Sequence, residues 1–186
     1  MHDSADTSAS AASSGGSSSP LGSSGDSSTE GAPPDGGQAQ GLRVDFYVLE
    51  ESSPSARLKL ACRLAEKAYL AAQTALVWHT DADELRTFDD MLWTFMDGSF
   101  VPHEMLGSGT PGNEAPVLLS AGTAPSQDVD IIINLAAEVP TACLARTRRV
   151  AEIIDGDDTR RRAGRARFKT YRDLGIQPAS HNIRSE

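Results

Sequence analysis

The chain has 186 residues, of which 39% are hydrophobic and 23% charged, and its formal net charge is −9 at pH 7. This length is enough for one domain with a buried core, and the overall acidity argues against general binding of duplex DNA, whose phosphates select basic proteins. The charge is uneven, however, because residues 146–172 hold ten Lys or Arg side chains against four Asp or Glu side chains. This reversal predicts one positive patch on an acidic protein.

The first forty residues differ from the rest of the chain. They are rich in Ser, Gly, Ala and Pro and contain five acidic residues but no aromatic, Lys or Arg side chain. Such a segment cannot bury enough apolar surface to offset the entropy lost on ordering. We therefore expect residues 1–40 to be a disordered tail and residues 41–186 to form the domain. A signal-peptide pattern and a membrane-length apolar run are both missing, so we expect a soluble, cytoplasmic protein with no membrane partner.

Two amphipathic helices are predicted in the first half of the domain. The first begins with Ser53 as its capping residue and a proline in its first turn. The second begins at Thr80, which forms a capping-box pattern with Asp83, and ends at the Asp97-Gly98 pair.

The second half of the domain adds a long loop, further strands and a last helix. The loop is rich in glycine and proline and covers residues 102–116, and a short helix is expected near residues 140–147. The last helix is capped by Asp157 or Asp158 and ends at Gly175. The predicted strands, in chain order, are Val44–Leu49, Ala75–His79, Val117–Leu119, Val129–Leu135 and Val150–Ile154.

This alternation of strands and helices predicts an α/β fold. The sheet should be mainly parallel with helices on both faces, which is the three-layer arrangement of nucleotide-binding domains. The chemistry of a nucleotide site is missing, because the first strand is followed by Glu50 and Glu51 where a phosphate cradle needs backbone amides and a lysine. Residues 107–112 are glycine-rich but lack the Lys-Ser/Thr ending of a phosphate loop. We expect no phosphate loop and no cofactor; an enzyme on a nucleotide-binding fold is a rival interpretation that measurable nucleotide affinity would favour.

Metal and catalytic sites have equally little support. His79, His103 and His181 are far apart in sequence and form no His-x-x-His unit, so we expect no metal site. Cys62 and Cys143 form no Cys-x-x-Cys pair and are expected to be buried free thiols. No combination of nucleophile, base and orienting acid stands out, so we expect no catalytic residue.

Trp93 is the first residue that points to a binding surface. The apolar stripe of its helix holds Leu85, Phe88, Leu92 and Phe95. At helical spacing Trp93 lies roughly 130° from the centre of that stripe. A large aromatic side chain off the buried face suggests a partner surface, although packing of Trp93 beneath the loop of residues 98–102 is an equally good interpretation.

The last predicted helix carries a basic stripe. Arg161, Arg165, Phe168 and Arg172 recur at helical spacing along one side. The opposite side, expected to lie on the sheet, holds Ala163, Thr170, Tyr171 and Leu174. A basic stripe with one aromatic ring suits an acidic peptide that ends in a hydrophobic side chain, or a single nucleic-acid strand. A solvated arginine-rich face is the alternative.

The segment Leu-Trp-Thr-Phe at residues 92–95, followed by Ser-Phe-Val-Pro-His at residues 99–103, resembles the central signature of the chi subunit family of bacterial DNA polymerase III holoenzyme. The resemblance covers about residues 43–183 in order. It continues in residues 46–49, 61–69, 116–119, 133–135, 152–155 and 165–172. It implies a non-catalytic accessory subunit of the clamp loader within a DNA-directed DNA polymerase, which takes part in DNA replication and reaches DNA indirectly.

The same resemblance implies two partner sites. In the family, the acidic C-terminal tail of single-stranded DNA-binding protein is held by residues that match Ile154, Arg165 and Phe168, with a further basic position at Arg161. Arg172 would steer the aspartates of the tail from a longer distance. Many family members carry a tyrosine at the position of Phe168, so a hydrogen bond from its hydroxyl is not expected here.

The second partner site implied by the resemblance binds the psi subunit, or a helicase that uses the same surface. The matching residues are Trp93 and Phe100, which agrees with the off-stripe position of Trp93. A single-stranded nucleic-acid-binding module that uses the arginine stripe is the alternative function.

Overall fold

A parallel sheet forms the centre of the protein. The structure, a computed structural model, describes residues 41–107 and 114–184. Its strands are β1 (Arg43–Leu49), β2 (Ala75–His79), β3 (His103–Met105), β4 (Val117–Ala121), β5 (Val129–Asn134), β6 (Thr147–Ile154) and β7 (Ala179–Ile183). Its helices are α1 (Pro54–Leu70), α2 (Ala82–Thr94), α3 (Asp158–Asp173) and a 3₁₀ helix at Thr141–Arg146. The strand order within these ranges is β3-β4-β2-β5-β6-β1-β7, and every pairing is parallel.

The helices cover both faces of the sheet, as the strand–helix alternation predicts. Alternate residues of β5 show this arrangement, because Ile131 and Ile133 pack in the core beneath α1 and α2, whereas Ile132 packs in the core beneath α3. Strands covered on both faces need an apolar side chain at nearly every position. Burial of each such side chain stabilises the fold by about 1.5–3 kcal/mol. The helices on both faces of the parallel sheet confirm the predicted three-layer fold.

The capping residues fix where the helices begin. Ser53 caps α1 as predicted, and its Oγ accepts a hydrogen bond from Ala56 N at 3.3 Å. For α2 the predicted Thr80 cap is wrong by one residue, since Asp81 Oδ1 accepts the hydrogen bonds from Asp83 N (2.8 Å) and Glu84 N (3.0 Å). A carboxylate is a better acceptor than a hydroxyl at the positive end of a helix. The C-terminus of α2 is also corrected, because the helix ends at Thr94 and not at the Asp97-Gly98 pair.

Two edge strands were not predicted. The short β3 lies inside the segment that the sequence assigns to a long loop, and β7 follows the glycine that ends α3. Each pairs with one neighbour in the described part of the chain and is only partly buried. An edge strand of this kind needs no apolar run, so neither sequence carries the pattern that identifies the central strands. Most of the glycine-rich segment 107–112 lies outside the described residues.

The face of α3 that meets the sheet differs from the predicted one. Gly164, Arg167 and Tyr171 are its buried residues, whereas Thr170 and Leu174 are exposed. The difference comes from Glu152 of β6, a buried carboxylate whose Oε2 accepts from Arg167 Nε at 2.7 Å and whose Oε1 accepts from the Tyr171 hydroxyl at 2.7 Å. A buried carboxylate needs a paired cation or hydrogen-bond donors, and for this reason Arg167 faces the core and not the solvent.

Candidate peptide cavity and exposed aromatic patch

A cavity of about 230 Å³ lies where α3 crosses β6, β1 and β7. It is lined by Phe46, Val48, Ile154, Arg161, Gly164, Arg165, Phe168 and Ser180. Four of the residues singled out from the sequence therefore share one concave surface: Ile154, Arg161, Arg165 and Phe168. Arg172 is exposed in the last turn of α3 and does not line the cavity.

The interior of the cavity is apolar and closely packed. Phe46 and Ile154 are only 2% and 6% exposed. The ring of Phe168 lies with its centroid 5.3 Å from that of Phe46, tilted by 57°, and Phe46 meets Tyr171 edge-on at 6.1 Å. This aromatic packing fixes the Phe168 ring at the side of the cavity, where it presents an apolar wall to a ligand.

Gly164 allows the helix to approach the strand closely enough to form this cavity. A Cβ atom at this position would lie 2.2 Å from Cδ1 of Ile154. Glycine in the interior of a helix lowers stability by about 1 kcal/mol relative to alanine. A glycine in the middle of a predicted helix is therefore a sign, visible in the sequence, that another segment packs closely against it. Gly164 was not predicted as a site residue, and neither were the other lining residues Phe46, Val48 and Ser180.

Two guanidinium groups without carboxylate partners stand at the edge of the cavity. Arg165 is exposed and Arg161 is half-buried, and neither forms a salt bridge within residues 41–107 and 114–184. The Nε atom of Arg161 is buried with no hydrogen-bond partner among the same residues. Two other arginines of α3 are paired, since Arg160 binds Asp155 at 2.7 Å and Arg167 binds Glu152. An apolar cavity flanked by unpaired cations can hold an apolar group that carries a negative charge beside it.

The opposite side of the sheet carries a separate aromatic patch at the end of α2. Its exposed members are Trp93 (52% exposed), Met96 (49%) and Phe100 (62%). The rings of Trp93 and Phe100 have centroids 5.4 Å apart. Trp93 thus contacts the loop of residues 98–102 but is about half exposed and not buried beneath it, and its role at a partner surface stays a prediction. Met96 was not singled out from the sequence.

His103 and Ser99 hold the loop that carries Phe100. His103 Nδ1 donates to the carbonyl oxygen of Val101 at 2.6 Å, and the imidazole ring packs against Trp93 with centroids 4.6 Å apart. The Ser99 hydroxyl donates to Glu66 of α1. Apolar side chains held at the surface by a fixed backbone lose little entropy when a partner covers them.

Comparison with known proteins decides the family of the chain. A sequence model of the family described as DNA polymerase III chi subunit, HolC, matches residues 42–179. The chain belongs to the DNA polymerase III chi subunit family.

Two relatives illustrate the range of similarity within the chi family. DNA polymerase III subunit chi of Pseudomonas aeruginosa is 37% identical over 141 residues, which cover 76% of this chain and 96% of the relative. The subunit of Escherichia coli strain K12 is 27% identical over 135 residues, which cover 70% and 91%. The chain thus spans nearly the whole length of these chi subunits.

Among solved structures, the chi-family fold resembles larger proteins of low sequence identity. T4 UvsW matches with a TM-score of 0.58 at 9% identity over 78% of this chain and 42% of that one. S. cerevisiae dbp5 bound to gle1 matches with a TM-score of 0.53 at 11% identity over 77% and 43%. These likenesses concern the fold alone.

The remaining side chains considered as sites have structural partners in the chi-family chain. His79 and His181 contact Glu84 and Asp45 at 2.9 and 3.1 Å. Within the described ranges no three His, Cys, Asp or Glu side chains are grouped so that they could hold a metal ion. Cys62 is a buried free thiol, as predicted, and its burial raises the pKa to about 12. Across residues 41–107 and 114–184, none of the helices combines the length and the apolar character needed to cross a lipid bilayer.

Proposed function

We propose that this chain is a non-catalytic accessory subunit of the DNA polymerase III clamp loader. It would act in the cytoplasm and link the psi subunit, or a helicase, to the acidic C-terminal tail of single-stranded DNA-binding protein during DNA replication. The observation that carries the proposal is the apolar cavity flanked by Arg161 and Arg165, whose side chains have no carboxylate partner in the described part of the chain.

The chemistry of the cavity suits the end of such a tail. A terminal phenylalanine ring needs an apolar slot, which Ile154 and Phe168 line, and burying it contributes on the order of 1.5–3 kcal/mol. The C-terminal carboxylate of the tail would form a bidentate hydrogen bond with Arg165, which contributes about 1.5–3 kcal/mol when the charges are partly desolvated. Preceding aspartates would lie closer to Arg161 and, at longer range, to Arg172.

The proposed link needs two surfaces that can be occupied together. The cavity lies on the face of the sheet covered by α3, and the patch of Trp93 and Phe100 lies at the end of α2 on the other face. A partner on one face leaves the other accessible, which supports a bridging role.

Titration of the full chain with a labelled peptide from the C-terminus of single-stranded DNA-binding protein tests the proposal. Arg165→Ala should weaken binding by about 10- to 100-fold, with little change in thermal stability because the side chain is exposed and has no partner among the described residues. Arg162→Ala is the matched control, because Arg162 is exposed on the same helix but does not line the cavity. A peptide without its final phenylalanine should bind similarly weakly.

Direct binding of single-stranded nucleic acid is the second candidate, which the exposed arginines of α3 favour. The same titration with an oligonucleotide separates the two functions. Tight oligonucleotide binding with no response to the peptide, or unchanged peptide binding by Arg165→Ala, would contradict the peptide site.

A further inference from the structure

A second cavity, of about 180 Å³, lies at the carboxyl ends of β2, β5 and β6. The connection after β2 runs toward the β3 edge of the sheet, and the connection after β5 runs toward the β7 edge. Neighbouring strands whose connections leave in opposite directions form a topological switch point, where open α/β sheets bind ligands. The cavity lies at this point and is unrelated to the two partner surfaces described above.

Arg57 of α1 is the unusual residue of this cavity. Its side chain is buried, with only 6% of the residue exposed. One guanidinium nitrogen donates to the Leu135 carbonyl oxygen, but Nε is buried with no hydrogen-bond partner in the described part of the chain. Burial, reinforced by the positive charge of Arg160, lowers the pKa of Arg57, yet an arginine keeps its proton in proteins. Arg57 is thus a buried cation that lacks a full set of partners.

The other cations that line the cavity are neutralised by carboxylates. Arg160 binds Asp155 at 2.7 Å, and Arg167 binds Glu152 at 2.7 Å. Glu84 also lines the cavity, but its carboxylate accepts from His79 Nε2 at 2.9 Å, while His79 Nδ1 accepts from Asp81 N. Arg57 forms no salt bridge within residues 41–107 and 114–184, although the negative charges of Glu84 and Asp155 lie near enough to raise its pKa and so partly offset the effect of burial.

A buried charge without a salt bridge is costly, and a bound anion would offset part of that cost. The first turns of α1, α2 and α3 all border the cavity, and the positive ends of their dipoles would add to the attraction. The negative charges of Glu84 and Asp155 oppose anion binding, so the affinity should be modest. The volume is below the roughly 300–1,000 Å³ typical of sites for larger ligands, which excludes a whole nucleotide and fits a group of phosphate size.

We propose that this switch-point cavity binds a small free oxyanion of the phosphate or carboxylate class, with Arg57 as its main counterion. The guanidinium group of Arg57, which lines the cavity, donates to an oxygen of the anion. The guanidinium groups of Arg160 and Arg167 lie close enough to add to the positive electrostatic potential in the cavity, although they form hydrogen bonds with protein carboxylates.

Amide NMR of the full chain during titration with sodium phosphate tests this site, with sodium chloride used to hold the ionic strength constant. We expect saturable shifts of the amides at Thr80, Ala136 and Ala137, which line the cavity, and a dissociation constant on the order of 1–10 mM. Acetate in a parallel titration shows whether carboxylates share the site. Saturation by either anion at these amides supports the proposal.

Arg57→Gln should reduce the affinity at least tenfold, whereas Arg165→Ala, in the other cavity, should leave it unchanged. If the shifts do not saturate, or if they cluster around Arg161 and Arg165, the proposed site is wrong. The wild-type titration gives this answer even if Arg57→Gln fails to fold. Since Arg165→Ala is the variant that tests peptide capture, the two proposals can fail independently.

Discussion

Gly164→Ala separates the stability of this protein from peptide binding in the α3 cavity. The added Cβ would lie 2.2 Å from Ile154 Cδ1 and 3.1 Å from its Cγ1. The nearest atom is the end of a flexible side chain, so a rotation of Ile154 can relieve the contact at a cost of about 0.5–1.5 kcal/mol. Alanine gains about 1 kcal/mol of helix propensity over glycine, and the two effects nearly cancel.

Peptide binding has no such compensation. Both Gly164 and Ile154 line the cavity, so the new methyl group and the displaced Cδ1 occupy volume that the terminal phenylalanine of the peptide would fill. Overpacking of this kind costs about 1–3 kcal/mol. We therefore expect peptide affinity to fall by about 5- to 100-fold, while the free energy of unfolding changes by less than about 1 kcal/mol.

The assay is fluorescence anisotropy with the labelled peptide, beside urea unfolding of the same variants. Adding Ile154→Val to Gly164→Ala removes the colliding Cδ1 and should restore part of the affinity, a coupling that a double-mutant cycle measures. Thr170→Ala controls for helix propensity, because Thr170 is exposed and does not line the cavity. Unchanged affinity in Gly164→Ala would refute the cavity as the peptide site, and a stability loss above about 3 kcal/mol would refute the packing argument.

Trp93→Ala should weaken association with the psi subunit or a helicase by at least tenfold in a pull-down or titration, because aromatic anchors dominate such interfaces, and the fold should stay intact since 52% of Trp93 is exposed. Phe88→Ala on the same helix is the contrast, with an expected stability loss of about 3–5 kcal/mol; a comparable loss in Trp93→Ala would make Trp93 a core residue. Buried Asp45 provides a pH test: burial raises the pKa of its carboxyl, but hydrogen bonds from His181, Arg43 and Arg149 outweigh this and hold the pKa below its ordinary value of 3.8. The stabilisation from ionised Asp45 is therefore present above pH 3.8 and is lost as the pH falls through the lower folded-state pKa. Asp45→Asn should be less stable than wild type at pH 7 in urea unfolding, and the difference should shrink in acid; a constant difference would contradict this assignment.

The fold could be predicted because each central strand has a recognisable apolar pattern within a short stretch of sequence. A strand such as β5, covered by helices on both faces, must be apolar at nearly every position, and that pattern appears in a single stretch of sequence. The caps of α1 and α3 are local as well, since Ser53 and Asp157 bond to amides within three residues. The edge strands β3 and β7 depend on one neighbour far away in sequence and leave no such pattern.

The sequence by itself determined the α/β class, the family resemblance and the chemical character of α3, because each depends on the residue types present and on their order along the chain. Only the tertiary structure decided which arginines are available to a ligand. Among the described residues, Arg165 is exposed and unpaired, whereas Arg167, two positions along, is buried against Glu152 of β6. Arg57 is buried and forms no salt bridge in the same ranges. The free energy of a charge depends on its distance from other charges and from water, and folding sets both distances by bringing together segments that are remote in sequence.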